Sequence, residues 1–313
     1  MTLLSIRDLR TYFYTEDGVV RAVNGINLDL EEGETLGIIG ETGCGKTMLG
    51  LSILRLLSEN TKVEGQVFYR GTDLVRLSKA QMRKIRGKEI SMIFQNSLSS
   101  MNPVLTVGTQ LAEPVEMHQH MKRQAAKRRV IEMLKAVKIP SPSERAAEYP
   151  HEFSGGMRQR AMIAMGLACT PSLIIADEPT TGLDVTIQAQ IIELMKEVLE
   201  HSGASMLLIT HDLGVASELC NSIAVMYAGE IIEYAGVIDL FKNPGHPYTR
   251  GFFDSLPNRG LKPMPGTCPS MINLPAGCKF HPRCPHASSR CEKEKPDMLK
   301  VGEKHYVRCF LHD

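Results

Sequence analysis

Two groups of residues in this chain are of types and spacings that could act on a phosphate. The first is Gly40-Glu-Thr-Gly-Cys-Gly-Lys-Thr47, which fits G-x-x-x-x-G-K-[ST]. Gly40, Gly43 and Gly45 let the backbone turn so that successive N–H groups face inward, and a following helix adds positive field at the same point. Lys46 can then reach the β- and γ-phosphates of a nucleotide, and the Thr47 hydroxyl can ligate Mg²⁺. Thr42, Cys44 and Met48 complete the expected lining, Cys44 as a small backbone donor. A glycine turn with a chance lysine would match the letters alone. It does not account for the apolar strand before the motif and the helical period after it.

The second group is a set of polar residues at the ends of apolar runs. Ser172-Leu-Ile-Ile-Ala-Asp-Glu178 is a buried-strand pattern ending in two acids, and in a parallel sheet the carboxyl ends of strands line the ligand crevice. Asp177 can hold Mg²⁺ directly or through water, and Glu178, one residue on, can polarise a water for attack on the γ-phosphate. Two acids there could instead cap the next helix, but the phosphate loop favours the catalytic role. His211 ends the run Met206-Leu-Leu-Ile-Thr-His and is expected to contact the γ-phosphate or the water. Gln95, after Ile90–Phe94, could reach Mg²⁺ and the water; alone it is a weak signal.

Such groups need a scaffold. Glu34–Gly40, Ile90–Phe94, Leu173–Ala176 and Met206–Ile209 read as buried strands, separated by helical periods at Thr47–Leu57, Gln124–Val137, Met157–Ala168 and Thr186–His201. The alternation predicts an α/β fold with a largely parallel sheet. Leu3–Tyr14 and Val19–Leu30 predict an antiparallel pair leading into it. A mostly helical stretch, about 97–168, predicts a helical subdomain inserted in the core.

The balance of 36 basic and 35 acidic residues leaves a net charge of +1, so nucleic acid is not the expected partner. Basic clusters at Lys79–Lys88 and Lys122–Arg129 read as solvated helix faces. No run is long and apolar enough to span a bilayer, and the first residues lack a secretory pattern, so an intracellular protein is expected. Five of the eight cysteines and ten of the 17 prolines fall after residue 240. That shift predicts a domain 1–240 and an extension 241–313, with no long helix expected in the extension before Ser288. So few apolar residues call for a staple. Cys278, Cys284, Cys291 and Cys309 supply four thiolates, enough for Zn²⁺ or a [4Fe–4S] cluster. Their spacings match neither usual pattern, so the residues alone leave the metal open. Cys268 is read as a spare.

Phe153-Ser-Gly-Gly-Met-Arg-Gln-Arg160 decides the class. Ser-Gly-Gly before an amphipathic helix makes a second anion-binding N-terminus, which a self-sufficient phosphate-loop enzyme would not need. This resembles the signature motif of ABC ATPases, and the other motifs follow in that family's order over about residues 1–235. Gln95 matches the Q-loop, Leu173–Glu178 the Walker B strand, Thr181-Gly-Leu-Asp184 the D-loop and His211 the switch histidine. The resemblance implies that Ser154, Gly155 and Gly156 contact a nucleotide held by a second ATPase subunit. It also implies an aromatic ring under adenine: Phe13, with Tyr12 and Tyr14 as rivals. Departures are few: Phe153 replaces a usual Leu, Thr181-Gly182 a usual Ser-Ala and Cys44 a usual Ser. None removes a reacting group, so Lys46, Gln95, Glu178 and His211 imply hydrolysis.

Asn243-Pro-Gly-His-Pro-Tyr-Thr-Arg250 is similar to a motif of oligopeptide and dipeptide importers. That resemblance implies a D-type ATPase subunit on the cytoplasmic face of a bacterial or archaeal membrane. Its expected partners are a similar but different ATPase chain, two permeases docking near the helical subdomain and, indirectly, an extracytoplasmic peptide-binding protein. It also favours [4Fe–4S] over Zn²⁺ at the four cysteines. Nickel or another small solute is an alternative cargo. A nucleic-acid-maintenance ATPase would carry long coiled coils or two heads, which the chain lacks, and a purely regulatory module would not keep both Glu178 and His211.

Overall fold

The computed structural model describes residues 1–95, 100–256 and 260–313. The chain forms two compact units. One comprises Met1–Glu31, Thr35–Arg76 and Ile209–Asp313; the other comprises Glu32–Glu34 and Leu77–Leu208.

The first unit opens with β1 (Thr2–Thr15) and β2 (Gly18–Glu31), the predicted antiparallel pair. Leu4 faces Leu30 and Ile6 faces Leu28, so alternate apolar residues bury one side of the ribbon while Arg7, Asp8 and Asp29 stay outside. The register slips around Asp8, where φ is +45°. Then come β3 (Thr35–Ile39), buried at every position, α1 (Lys46–Leu54), β4 (Thr61–Tyr69) and the short β5 (Thr72–Asp73). One sheet has the order β2-β1-β4-β5, with antiparallel pairing throughout.

The second unit contains α2 (Lys79–Ile85), β6 (Ile90–Ile93), α3 (Val107–Gln119), α4 (Arg123–Ala136), α5 (Pro142–Arg145), α6 (Gly155–Gly166), β7 (Leu173–Asp177) and α7 (Val185–Ser202), and the chain leaves it within β8 (Ser205–Thr210), after Leu208. Here β6 and β7 are parallel, Ile90 opposite Leu173 and Ile93 opposite Ala176. The α3–α6 stretch is the expected helical region; its forecast start at Ser97 lies outside the described residues. Ser78 caps α2 with Gln81 in a reciprocal capping box, and Thr106, Ser154 and Asp184 each cap the next helix with a side-chain oxygen.

The chain then returns to the first unit through α8 (Leu213–Leu219), β9 (Ser222–Tyr227), β10 (Glu230–Gly236), α9 (Val237–Lys242), α10 (Pro247–Asp254), α11 (Ser289–Lys293), β11 (Leu299–Gly302) and β12 (His305–Val307). The strand order there is β11-β12-β10-β9-β3, with β3 and β9 parallel and the other pairs antiparallel. Before Ser288 the extension forms only short helices among the described residues; the eight-residue α10 starts where Pro247 occupies the first turn, its missing N–H costing nothing, and His246 caps it. Among the described residues no helix is long and apolar enough to cross a membrane.

Candidate functional site

The Gly40–Thr47 loop joins β3 to α1, the strand–loop–helix context that its spacing requires. Two of its glycines are enforced sterically. A Cβ on Gly40 (φ +155°) would lie 2.2 Å from the Met226 carbonyl oxygen, and one on Gly45 (φ +105°) would lie 2.1 Å from that of Ala22. Gly45 is the N-cap of α1 and brings no capping side chain, and α1 has no acid in its first turn. The helix start therefore keeps its positive end uncompensated by its own side chains.

Lys46 folds back over this loop. Its ammonium donates to the Gly40 carbonyl at 2.7 Å and to the Glu41 carbonyl at 3.1 Å, with the residue only 7% exposed. Cys44 is fully buried and its thiol is pushed up to about 11, chiefly by that burial. The Gly229 N–H donates to the Cys44 carbonyl at 2.9 Å, so the β9–β10 turn buttresses the loop. Thr47 and Met48 sit in the first turn of α1, and Thr42 precedes it.

Phe13 is half-buried near the end of β1, and Tyr14 is 50% exposed. Pairing with β4 is regular from Thr11 to Phe13, so these two side chains share a face of β1. The Thr11 hydroxyl meets the Ser52 hydroxyl of α1 at 2.7 Å, which turns that face toward the helix that the phosphate loop starts. His211 is exposed between β8 and α8, and the next residue, Asp212, caps α8 by accepting the N–H groups of Gly214 and Val215.

In the second unit Asp177 ends β7 at 2% exposure and Glu178 follows at 7%. Glu178 has φ +50°, a left-handed conformation seldom adopted by a non-glycine residue. The Thr181 hydroxyl donates to Glu178 Oε2 at 3.1 Å and fixes the carboxylate. Gln95 is exposed just beyond β6. The Ser154 hydroxyl accepts the Met157 N–H at 3.3 Å at the start of α6. A Cβ on Gly156 would lie 2.8 Å from Ile187 of α7, and one on Gly155 would lie 3.8 Å from Leu183. The Ser-Gly-Gly segment and the Thr181–Asp184 turn thus pack together within this unit. Gly40–Met48 and Phe13 belong to the first unit with His211; Gln95, Ser154–Gly156, Asp177 and Glu178 belong to the second.

Three residues meet at the phosphate loop through contacts that the sequence did not announce. Glu41 donates its N–H to the Tyr248 hydroxyl at 2.9 Å, and its carboxylate takes the Arg283 guanidinium at 2.9 and 3.1 Å. The HPYT resemblance marked Tyr248 but gave no sign of its contact.

Cys278, Cys284, Cys291 and Cys309 line one cavity of about 130 Å³, with His246, His281, His286 and Phe280 also on its wall. Burial pushes the Cys278 thiol up to about 11 and raises those of Cys284 and Cys309. Among the described residues, however, no three His, Cys, Asp or Glu side chains gather as a group able to hold a metal ion. The four cysteines share a cavity wall, and the metal-binding group expected of them, cluster or zinc, is not found among the described residues.

Residues 23–181 match the family described as ABC transporter, and residues 232–291 match the oligopeptide/dipeptide transporter C-terminal region. The chain is 49% identical over 316 residues to a probable peptide ABC transporter ATP-binding protein of Sinorhizobium fredii, covering 98% of this chain and 94% of the relative. It is 47% identical to the dipeptide transport ATP-binding protein DppD of Bacillus subtilis, covering 99% and 95%. A solved dimer of the ATP-binding cassette MJ0796, in a post-hydrolysis state with ADP and Pi, is 27% identical, with a TM-score of 0.68 over 75% of this chain and 98% of that one.

Proposed function

The chain belongs to the ABC transporter family, and from that premise we propose that it is the ATP-hydrolysing subunit of an importer for dipeptides or oligopeptides. One observation carries the site reading. The Lys46 ammonium rests on two neutral carbonyls of a glycine loop, beside a helix start without an acid. Phosphate oxygens are stronger acceptors for it than those carbonyls.

In this reading the chain's groups divide the work. Lys46 exchanges Gly40 and Glu41 for the β- and γ-phosphates, while the loop amides and the α1 N-terminus face the remaining oxygens. Thr47, Asp177 and Gln95 would hold Mg²⁺, which when bound would supply charge neutralisation at the phosphates. Glu178, oriented by Thr181, takes a proton from the attacking water, and His211 contacts the γ-phosphate. Phe13 stacks on adenine. Ser154, Gly155 and Gly156 present the α6 N-terminus to a nucleotide bound by a second ATPase subunit, as a similar but different chain. Two permeases and an extracytoplasmic peptide-binding protein complete the assembly, with this subunit peripheral on the cytoplasmic face. Support for the cargo comes from the relatives' names and from the C-terminal match.

Cys278, Cys284, Cys291 and Cys309 line one cavity, and four thiolates suit Zn²⁺ or a [4Fe–4S] cluster on ligand count; the resemblance to D-type peptide-importer ATPases favours the cluster. When bound, the cluster would cross-link an extension that has little apolar core of its own.

Lys46→Ala is expected to abolish nucleotide binding and turnover; wild-type ATPase rates in that variant would refute the assignment. Uptake assays in cells lacking the chain then separate cargoes. Loss of dipeptide or oligopeptide uptake supports the proposal, and loss of nickel uptake alone replaces it. Protein purified without oxygen should contain iron and acid-labile sulfide; a colourless protein with one zinc overturns the cluster.

A further inference from the structure

Glu41 is an awkward residue to find in a cradle for a polyanion. It lies second in the glycine loop, and a free carboxylate there would repel a triphosphate held by the same few amides. The structure shows it restrained from three sides. Its N–H donates to the Tyr248 hydroxyl at 2.9 Å, its carbonyl accepts the Lys46 ammonium at 3.1 Å, and its carboxylate takes Arg283 in a two-point pair at 2.9 and 3.1 Å.

Two of those restraints come from more than 200 residues away, from the C-terminal extension. Both are rigid. Tyr248 is fully buried at the start of α10, its ring 4.6 Å from that of Tyr227 and 5.5 Å from that of Phe280. The Arg283 side chain is 6% exposed. It donates through Nε to the Pro265 carbonyl at 2.8 Å and lies over the Tyr227 and Phe280 rings at 5.8 and 5.9 Å.

We propose that Arg283 and Tyr248 are positioning residues for the nucleotide site: Arg283 neutralises Glu41, and Tyr248 fixes the backbone where the phosphate loop begins. The inference rests on the ATP reading of Lys46 and goes beyond it, because it gives the extension a part in nucleotide affinity. Arg283 immediately precedes Cys284, so the cysteine-lined cavity and the phosphate loop are joined by a single residue step.

The test is binding of a fluorescent ATP analogue to the full-length protein. Arg283→Met leaves the Glu41 charge unpaired and should weaken binding about tenfold, a loss that shrinks at high salt because it is a repulsion. Arg283→Lys should recover part of it, since an ammonium replaces the charge but not the fork. Tyr248→Phe should cost a few-fold. The deciding variant is Glu41→Gln combined with Arg283→Met, which removes the uncompensated charge and should restore affinity to near that of Glu41→Gln alone. A double variant as weak as Arg283→Met, or unchanged affinity in Arg283→Met, overturns the inference. Lys46→Ala run in parallel separates the two levels: if it still binds the analogue, the ATP reading itself fails.

Discussion

His305 Nε2 lies 2.8 Å from Glu233 Oε1, although the two residues are 72 apart in sequence, on β12 and β10, and Glu233 is fully buried. The same carboxylate accepts the N–H groups of Gly245 at 2.6 Å and His246 at 2.9 Å, so it ties the turn ahead of α10 to the sheet. Removing it leaves two buried backbone donors and an imidazole without their acceptor. Glu233→Ala should therefore destabilise the extension by about 3–5 kcal/mol, and Glu233→Gln, which keeps one acceptor, by less. Denaturant titration with limited proteolysis reads this out. An alanine variant whose residues 241–313 resist protease like the wild type would disprove the tether.

Glu178 combines burial with a left-handed backbone and a threonine that points its carboxylate. Glu178→Gln preserves shape and removes the base, so it should bind ATP while turnover falls about 10²–10⁴-fold, the usual range for a lost general base. ATP-bound assemblies should then accumulate and be visible by size-exclusion chromatography with the partner ATPase. Thr181→Val should lower turnover more mildly at unchanged nucleotide affinity. Retained hydrolysis in Glu178→Gln would assign the base elsewhere.

How far these features were legible depends on sequence distance. The phosphate loop, β7 and the α6 cap are local: each candidate side chain lies within a few residues of the turn or cap that places it, so its position can be read from spacing. The β9–β10 hairpin was missed, although Ala228 and Gly229, both with positive φ, sit between two runs of strand-forming residues. That turn was the available signal, and it supplies the N–H that braces Cys44. The Glu41–Arg283 pair had no such signal. An arginine among prolines and cysteines reads as surface charge until the tertiary fold brings it across. Similarly α10 is hard to read from the sequence, because proline breaks a helix at interior positions, whereas Pro247 sits in a first turn.

The behaviour of the Cys44 thiol follows chiefly from its burial. With its ionisation pushed up to about 11, only about one part in a thousand is thiolate at pH 8, and thiolate is the reactive form. Brief treatment with a thiol alkylator at pH 8 should modify the half-buried Cys268 before Cys44. Peptide mapping by mass spectrometry checks the order. Early labelling of Cys44, or protection of Cys44 by ATP alone, would show that the loop opens more than its packing implies.

The last expectation concerns the adenine. Phe13 shares with Thr11 the face of β1 turned toward α1, Tyr12 is engaged by Arg10, and Tyr14 points to solvent. Of the three rings, only Phe13 combines the right face with partial exposure and no polar partner to give up. A stacked aromatic contributes about 0.5–1.5 kcal/mol beyond its buried area, so Phe13→Ala should weaken ATP binding roughly threefold to tenfold. Phe13→Tyr should preserve it, and Tyr12→Ala and Tyr14→Ala should change it less than twofold. Titration of all four variants with ATP and with inorganic triphosphate isolates the base contribution, since triphosphate affinity should not respond to Phe13. A larger loss in the Tyr12 or Tyr14 variant would move the stacking ring to that residue.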